Sequence, residues 1–99
     1  MESPLSGTEK KHLRGKAQRL KPVVFVGRAG LSPSVLTEIE TALERDGLIK
    51  IKSETGREAL DQLVNQIEAD TRAVCVGTVG RTASFFRQPP GDFNDFRMR

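Results

Sequence analysis

The passage from residue 23 to residue 33 restricts this chain most. Val23-Val24-Phe25-Val26 is a β-branched and aromatic run, Gly27-Arg28-Ala29-Gly30 is a two-glycine loop, and Ser32-Pro33 is a helix start. Serine suits the N-cap and proline the first helical position. A strand, a tight turn and a helix N-terminus therefore follow one another without a gap. The apolar run is continuous rather than alternating, which predicts a strand buried on both faces, as in parallel sheets.

The rest of the chain extends this unit in both directions. Ser6 and Glu9 have capping-box spacing, and a helix is expected from Thr8 to Leu20, stopped by Pro22. Leu13, Ala17 and Leu20 share one face of it, while Lys10, Lys11, Arg14, Lys16 and Arg19 cover much of the rest. Gly15 costs such a helix about 1 kcal/mol relative to alanine, a cost that close packing or a close ligand would offset. After Ser32, the apolar stripe Val35, Leu36, Ile39, Ala42 and Leu43 predicts a second helix, with Glu38, Glu40 and Glu44 toward water and Gly47 as its stop. Leu48 to Lys52 alternates, placing Ile49 and Ile51 on one face of a strand and Leu48, Lys50 and Lys52 on the other.

A third helix is expected over Arg57–Asp70, with Leu60, Leu63, Val64 and Ile67 inward. Ala73–Val79 and Thr82–Arg87 read as a hairpin around Gly80-Arg81. Phe85 and Phe86 are adjacent and so point to opposite faces, one into the core and the other available to stack on a base. The order α-β-α-β-α-β-β defines an α/β fold with a four-stranded mixed sheet packed with helices. Its crossovers imply largely parallel pairing, with the last strand antiparallel. Residues 1–87 are expected to form one domain, and residues 88–99 a flexible tail carrying Phe93 and Phe96.

Composition removes whole classes of function. In 99 residues no apolar stretch approaches the ~20 needed to span a bilayer. The polar segment Met1–Lys11 has no apolar signal-peptide core, so the cytoplasm is the default location. One cysteine, Cys75, and one histidine, His12, cannot build a four-ligand zinc site. Cys75 sits in an apolar run and reads as a small buried hydrophobe. The glutamates of the second helix read as a solvated face, and no catalytic set can be assembled around them or around His12. Neither an enzyme activity nor a cofactor nor a small-molecule substrate is expected.

Charge is more telling in its distribution than in its sum of +3. Residues 1–30 carry seven Lys/Arg against two acids, residues 31–70 four against nine, and residues 71–99 five against two. Such asymmetry points to one side facing a polyanion and an acidic back. The two-glycine loop fits the same reading, since glycines let the backbone approach a ligand and a helix start offers N–H groups and a positive dipole end. Arg28 adds a forked donor suited to phosphate. The loop lacks the spacing of a triphosphate-binding P-loop and of a dinucleotide fingerprint. The candidate phosphate-binding set is Gly27, Arg28, Ala29 and Gly30 in the loop, with Lys10, Lys11, Arg14, Lys21, Lys50, Lys52, Arg81 and Arg87 around it.

These residues also carry a resemblance. Leu13-Arg14, Leu20-Lys21-Pro22-Val23-Val24, Gly27-Arg28-Ala29-Gly30-Leu31-Ser32, Ala42-Leu43, Leu48-Ile49-Lys50-Ile51-Lys52, Val79-Gly80-Arg81 and Phe86-Arg87 resemble the CRM domain, the YhbY-like RNA-binding family. The resemblance implies a fold similar to the C-terminal domain of translation initiation factor 3. It also implies RNA binding through the GxxG loop, much as in KH domains. Stand-alone bacterial members are associated with the precursor of the large ribosomal subunit, and plant members with intron splicing; a short chain looks like the stand-alone kind. Arg28 stands where the family usually has lysine, Phe86 where it usually has tyrosine, and Gly47 where it more often has a larger polar residue.

The expected function is therefore binding of RNA, ribosomal RNA above all, by a monomer during large-subunit assembly, with no membrane partner. The alternative is a protein-interaction module in the translation or ribosome-assembly machinery, using the acidic face (Glu38, Glu40, Glu44) or the C-terminal tail.

Overall fold

The computed structural model describes residues 5–88; the expected tail and its two phenylalanines lie outside the described residues. Seven elements follow in the order α1 (Gly7–Ala17), β1 (Val24–Val26), α2 (Pro33–Asp46), β2 (Leu48–Ser53), α3 (Arg57–Thr71), β3 (Val74–Val79) and β4 (Thr82–Phe86). The strands form one mixed sheet in the order β1-β2-β4-β3.

Only β1 and β2 pair in parallel; β4 runs antiparallel to both β2 and β3. Pairing is thus not largely parallel. The β3–β4 hairpin closes locally and inserts β4 between β2 and β3, so the crossover through α3 skips a strand. A crossover makes two strands point the same way without making them neighbours.

The sheet is covered on both sides. Ile39, Ala42 and Leu43 of α2 and Leu60, Leu63 and Ile67 of α3 pack on Val24, Val26, Ile49, Ile51, Ala83 and Phe85. On the other face α1 sets Leu13 against Val76 and Phe86, with Leu5 and Leu48 at the margin. Both phenylalanines of β4 are therefore core residues, one on each face, and neither is available to stack on a base. Phe86, the position where a hydroxyl is absent, lies under α1 in an apolar setting.

Helix ends follow local chemistry. Ser6 and Glu9 make the capping box, with the Glu9 N–H donating to Ser6 Oγ at 3.1 Å and the Ser6 N–H to Glu9 Oε1 at 3.0 Å. α1 ends at Ala17 rather than Leu20. The Arg19 N–H turns back to the Lys16 carbonyl and the Leu20 N–H to the Ala17 carbonyl, a tightened last turn that leaves Leu20 exposed. No heavy atom lies within 4 Å of a Cβ built on Gly15, so close packing is not what offsets its cost. α2 stops at Gly47, whose φ of 78° returns its N–H to the Leu43 carbonyl at 2.9 Å. Cys75, on β3, is half-buried and packs against the main cluster.

Strand β1 departs from expectation in a way that matters for the site. It is an edge strand, paired on one side only, and its burial alternates: Val24 and Val26 are 2% exposed, whereas Phe25 is 66% exposed. A continuous apolar run is not here a two-sided core strand.

Candidate nucleic-acid interface

The GxxG loop leaves the end of β1 as a tight turn. The Gly30 N–H donates to the Gly27 carbonyl at 3.0 Å, and Gly30 has φ +83°, a left-handed conformation that suits glycine. Arg28 and Ala29, between the glycines, are exposed. The Ser32 N–H folds onto the Gly30 carbonyl at 3.0 Å, and Ser32 Oγ accepts the Val35 N–H at 3.2 Å. Pro33 contributes no N–H. The start of α2 is thus largely satisfied from within, which leaves the exposed Arg28–Ala29 stretch and the Arg28 guanidinium as the open groups of the loop. The dipole of α2, with no acid in its first turn, stays behind them.

Two neighbouring segments hold this end of the sheet together. The Glu54 N–H donates to the Val26 carbonyl at 2.9 Å, which fixes the loop's root to the end of β2. The Ser53 N–H donates to the Arg81 carbonyl at 2.8 Å, which brings in the β3–β4 turn. Ser53 is buried, and its hydroxyl is satisfied by the Thr55 hydroxyl at 2.8 Å and the Thr55 N–H at 3.1 Å. Arg28, Lys52 and Arg81 therefore stand at the same end of the sheet, and the loop sits on a hydrogen-bonded floor.

Two open clefts flank the loop. One, of about 310 Å³, lies on the α1 side of the sheet between Phe25, Gly27, Lys52, Glu54 and Arg81. The other, about 160 Å³, lies between the loop and α3 and is lined by Arg28, Gly30, Thr55, Gln62 and Gln66 among others. Lower on the same face as the first, Lys16, Lys21 and Lys50 surround a cleft of about 410 Å³. Lys50 and Lys52 are two residues apart on β2 and join the two basic clefts along the strand.

Not every candidate belongs to this group. The Arg14 stem lies over Gly77, toward β3. Lys10 lies near Cys75, at the sheet edge far from β1; Lys11 is exposed on the same helix. Arg87 is set apart. It pairs with Glu40 of α2 at 2.9 Å and donates to the Thr71 carbonyl at 2.8 Å, so it ties the far end of the fold together. Arg81 and Arg87 stand at opposite ends of β4, about 20 Å apart at ~3.4 Å per residue. Glu40 is half-buried in this pairing and is not a free member of the acidic face.

Phe25, Gln62 and Gln66 were not among the sequence candidates. The only sequence signal for Phe25 is its place one residue before Val26-Gly27, at the lip of the loop; its exposure follows from α1 packing lower on that face, over Val76, Gly77 and Phe86, which the local sequence does not specify. The glutamines read as ordinary polar positions of α3.

Cys75 takes no part in this surface. Its thiol pKa is pushed up, first by burial and then by Glu68 and Asp61, against lowering by the Gly77 carbonyl contact and Lys10. The described residues contain no group of three or more His, Cys, Asp or Glu able to hold a metal ion, and no helix among them is long and apolar enough to cross a membrane.

A layered mixed sheet with a GxxG turn between its edge strand and the next helix defines a small α/β module. Comparison places it: residues 5–87 match the CRS1/YhbY (CRM) domain, and the chain belongs to that family. It is 40% identical over 84 residues to a Haemophilus influenzae protein named "RNA-binding protein", spanning 84% of this chain and 85% of the relative. It is 33% identical over 87 residues to a Pseudomonas aeruginosa protein named as a "Probable RNA-binding protein", spanning 87% and 84%. A solved Staphylococcus aureus structure superposes with a TM-score of 0.81 over 89% of this chain and 93% of that one, at 24% identity, and shows the same fold.

Proposed function

We propose that this protein binds RNA by its phosphate backbone, with the Gly27–Gly30 loop as the grip and the α1 side of the sheet as the track. The observation that carries the proposal is the meeting of a positive-φ glycine turn with Arg28, Lys52 and Arg81 at one end of the sheet, in the two clefts that flank the loop. Backbone N–H groups and guanidinium forks suit phosphate oxygens, and a turn without bulky side chains lets a strand approach. Lys16, Lys21 and Lys50 continue the positive surface along the same face. Contacts of this kind position RNA without reading its sequence.

The relatives named for RNA binding and the family membership support this reading. The RNA we propose is ribosomal RNA of the large-subunit precursor, on the resemblance to stand-alone bacterial CRM proteins. On this reading the protein acts as a cytoplasmic monomer and as a binding module rather than an enzyme. Lys10, Lys11 and Arg14 are outer contacts, whereas Arg87 serves the fold. Amide chemical shifts recorded during titration with a large-subunit RNA fragment test the assignment. Shifts centred on Gly27–Gly30, Lys52 and Arg81 are expected. Shifts centred on Glu38 and Glu44 would instead identify the acidic helix face as the contact.

A further inference from the structure

Phe25 is the feature of this surface that phosphate binding leaves unexplained. It is 66% exposed on an edge strand whose other two residues are buried. It begins a cross-strand row: Phe25 pairs with Lys52, Lys52 with Thr82, and Thr82 with Val79. Paired residues share a face, so this row lies on the α1 side of the sheet. Lower on that face, Leu13 covers Val76 and Phe86, and the Arg14 stem covers Gly77. The top row stays open, with Lys52 exposed and Val79 67% exposed.

The adjoining cleft has a mixed chemistry. Phe25 forms its apolar wall, and Lys52 and Arg81 are cationic. Glu54 also lines it, with Oε1 3.7 Å from where a Gly27 Cβ would stand. A carboxylate repels phosphate but accepts N–H donors from a base edge. Beside Phe25 and Glu54 the cleft therefore suits a neutral planar group, and Lys52 and Arg81 suit phosphates.

We propose that this cleft receives one unpaired nucleobase, stacked on the Phe25 ring, from the strand whose phosphates the loop holds. This rests on the RNA-binding reading and deepens it: the ligand is single-stranded or bulged RNA, because a base inside a helix cannot reach an aromatic ring. Stacking tolerates any base. Glu54 adds an acceptor for an N–H on the edge of the stacked base.

The test uses the full chain and an RNA carrying 2-aminopurine at one position, either unpaired or within a duplex. Wild type should quench the unpaired probe. Phe25→Ala should abolish the quenching and weaken single-strand affinity about 5- to 100-fold, the usual range for losing one stacked base. Phe25→Tyr should keep both, and duplex affinity should stay within about twofold across all three. Quenching that survives Phe25→Ala, unchanged single-strand affinity, or an equal loss on duplex each overturns the proposal. Melting of each variant separates misfolding, and Phe25→Tyr, which keeps the ring and the strand, decides the case if Phe25→Ala unfolds. If Phe25→Ala is silent while Arg28→Ala and added salt still weaken binding, only the stacking site is lost. If wild type binds neither form, the RNA reading itself falls.

Discussion

Gly30 and Arg28 bring different properties to the loop, a left-handed backbone and an exposed charge. At φ +83° an alanine is strained, so Gly30→Ala should cost about 1 kcal/mol of stability, read as a lower urea midpoint with unchanged slope. Arg28 is exposed and makes no contact the fold depends on. Arg28→Ala should leave stability within about 0.5 kcal/mol while weakening RNA binding about three- to tenfold, measured by anisotropy. Cys75 gives a prediction of opposite character. Its folded pKa is raised by burial, so the unfolded chain releases the thiol proton first. Below the ordinary thiol range the thiol makes stability no pH-dependent contribution. From there stability should fall as pH rises, levelling once pH passes the raised folded value. A pH series of urea melts checks this, and Cys75→Ala should remove the decline. At this scale the capping serines and the glycine stop at Gly47 were legible in the sequence, because caps are local. Phe25 was not, because its exposure depends on where α1 packs across the sheet.

The elements differ in how far sequence determined them. α2 and α3 fall within a residue of their expected bounds because each carries an apolar stripe and a start signal. α1 closes three residues early, since Pro22 marks where a helix must have ended rather than where it ends. The strands were visible, but their order was not. Nothing local in Thr82–Phe86 says that it inserts beside β2, and that insertion is what makes both Phe85 and Phe86 core. The consequence is measurable. Phe85→Ala, at a fully buried site in the central strand β4, should destabilise by about 3–5 kcal/mol, whereas Phe25→Ala on edge strand β1 should cost far less, compared by denaturant titration.

Across the whole molecule the layers separate charge. α1 carries four Lys/Arg against Glu9, and Lys50, Lys52 and Arg81 add to its side of the sheet. α2 carries four acids against Arg45, and α3 four against Arg57, on the other side. The sign asymmetry along the chain becomes a two-faced molecule because the topology sends α1 alone to one face. The candidate site was legible as a GxxG loop with nearby cations; which cations are near was not, and the fold gathers Lys21, Lys50, Lys52 and Arg81 while sending Arg87 to the far end. A polar field of this kind orients a polyanion and makes binding steeply salt-dependent.

The most direct measurement is therefore RNA affinity over a salt series, by anisotropy, for wild type, Arg28→Ala and Arg87→Ala. Log affinity should fall linearly with log salt. Arg28→Ala should lessen the slope by about one, as for one lost phosphate contact. Arg87→Ala should lower stability and leave the slope unchanged. A slope near zero, or one that Arg87→Ala lessens and Arg28→Ala does not, would contradict the claim that the loop grips the RNA backbone.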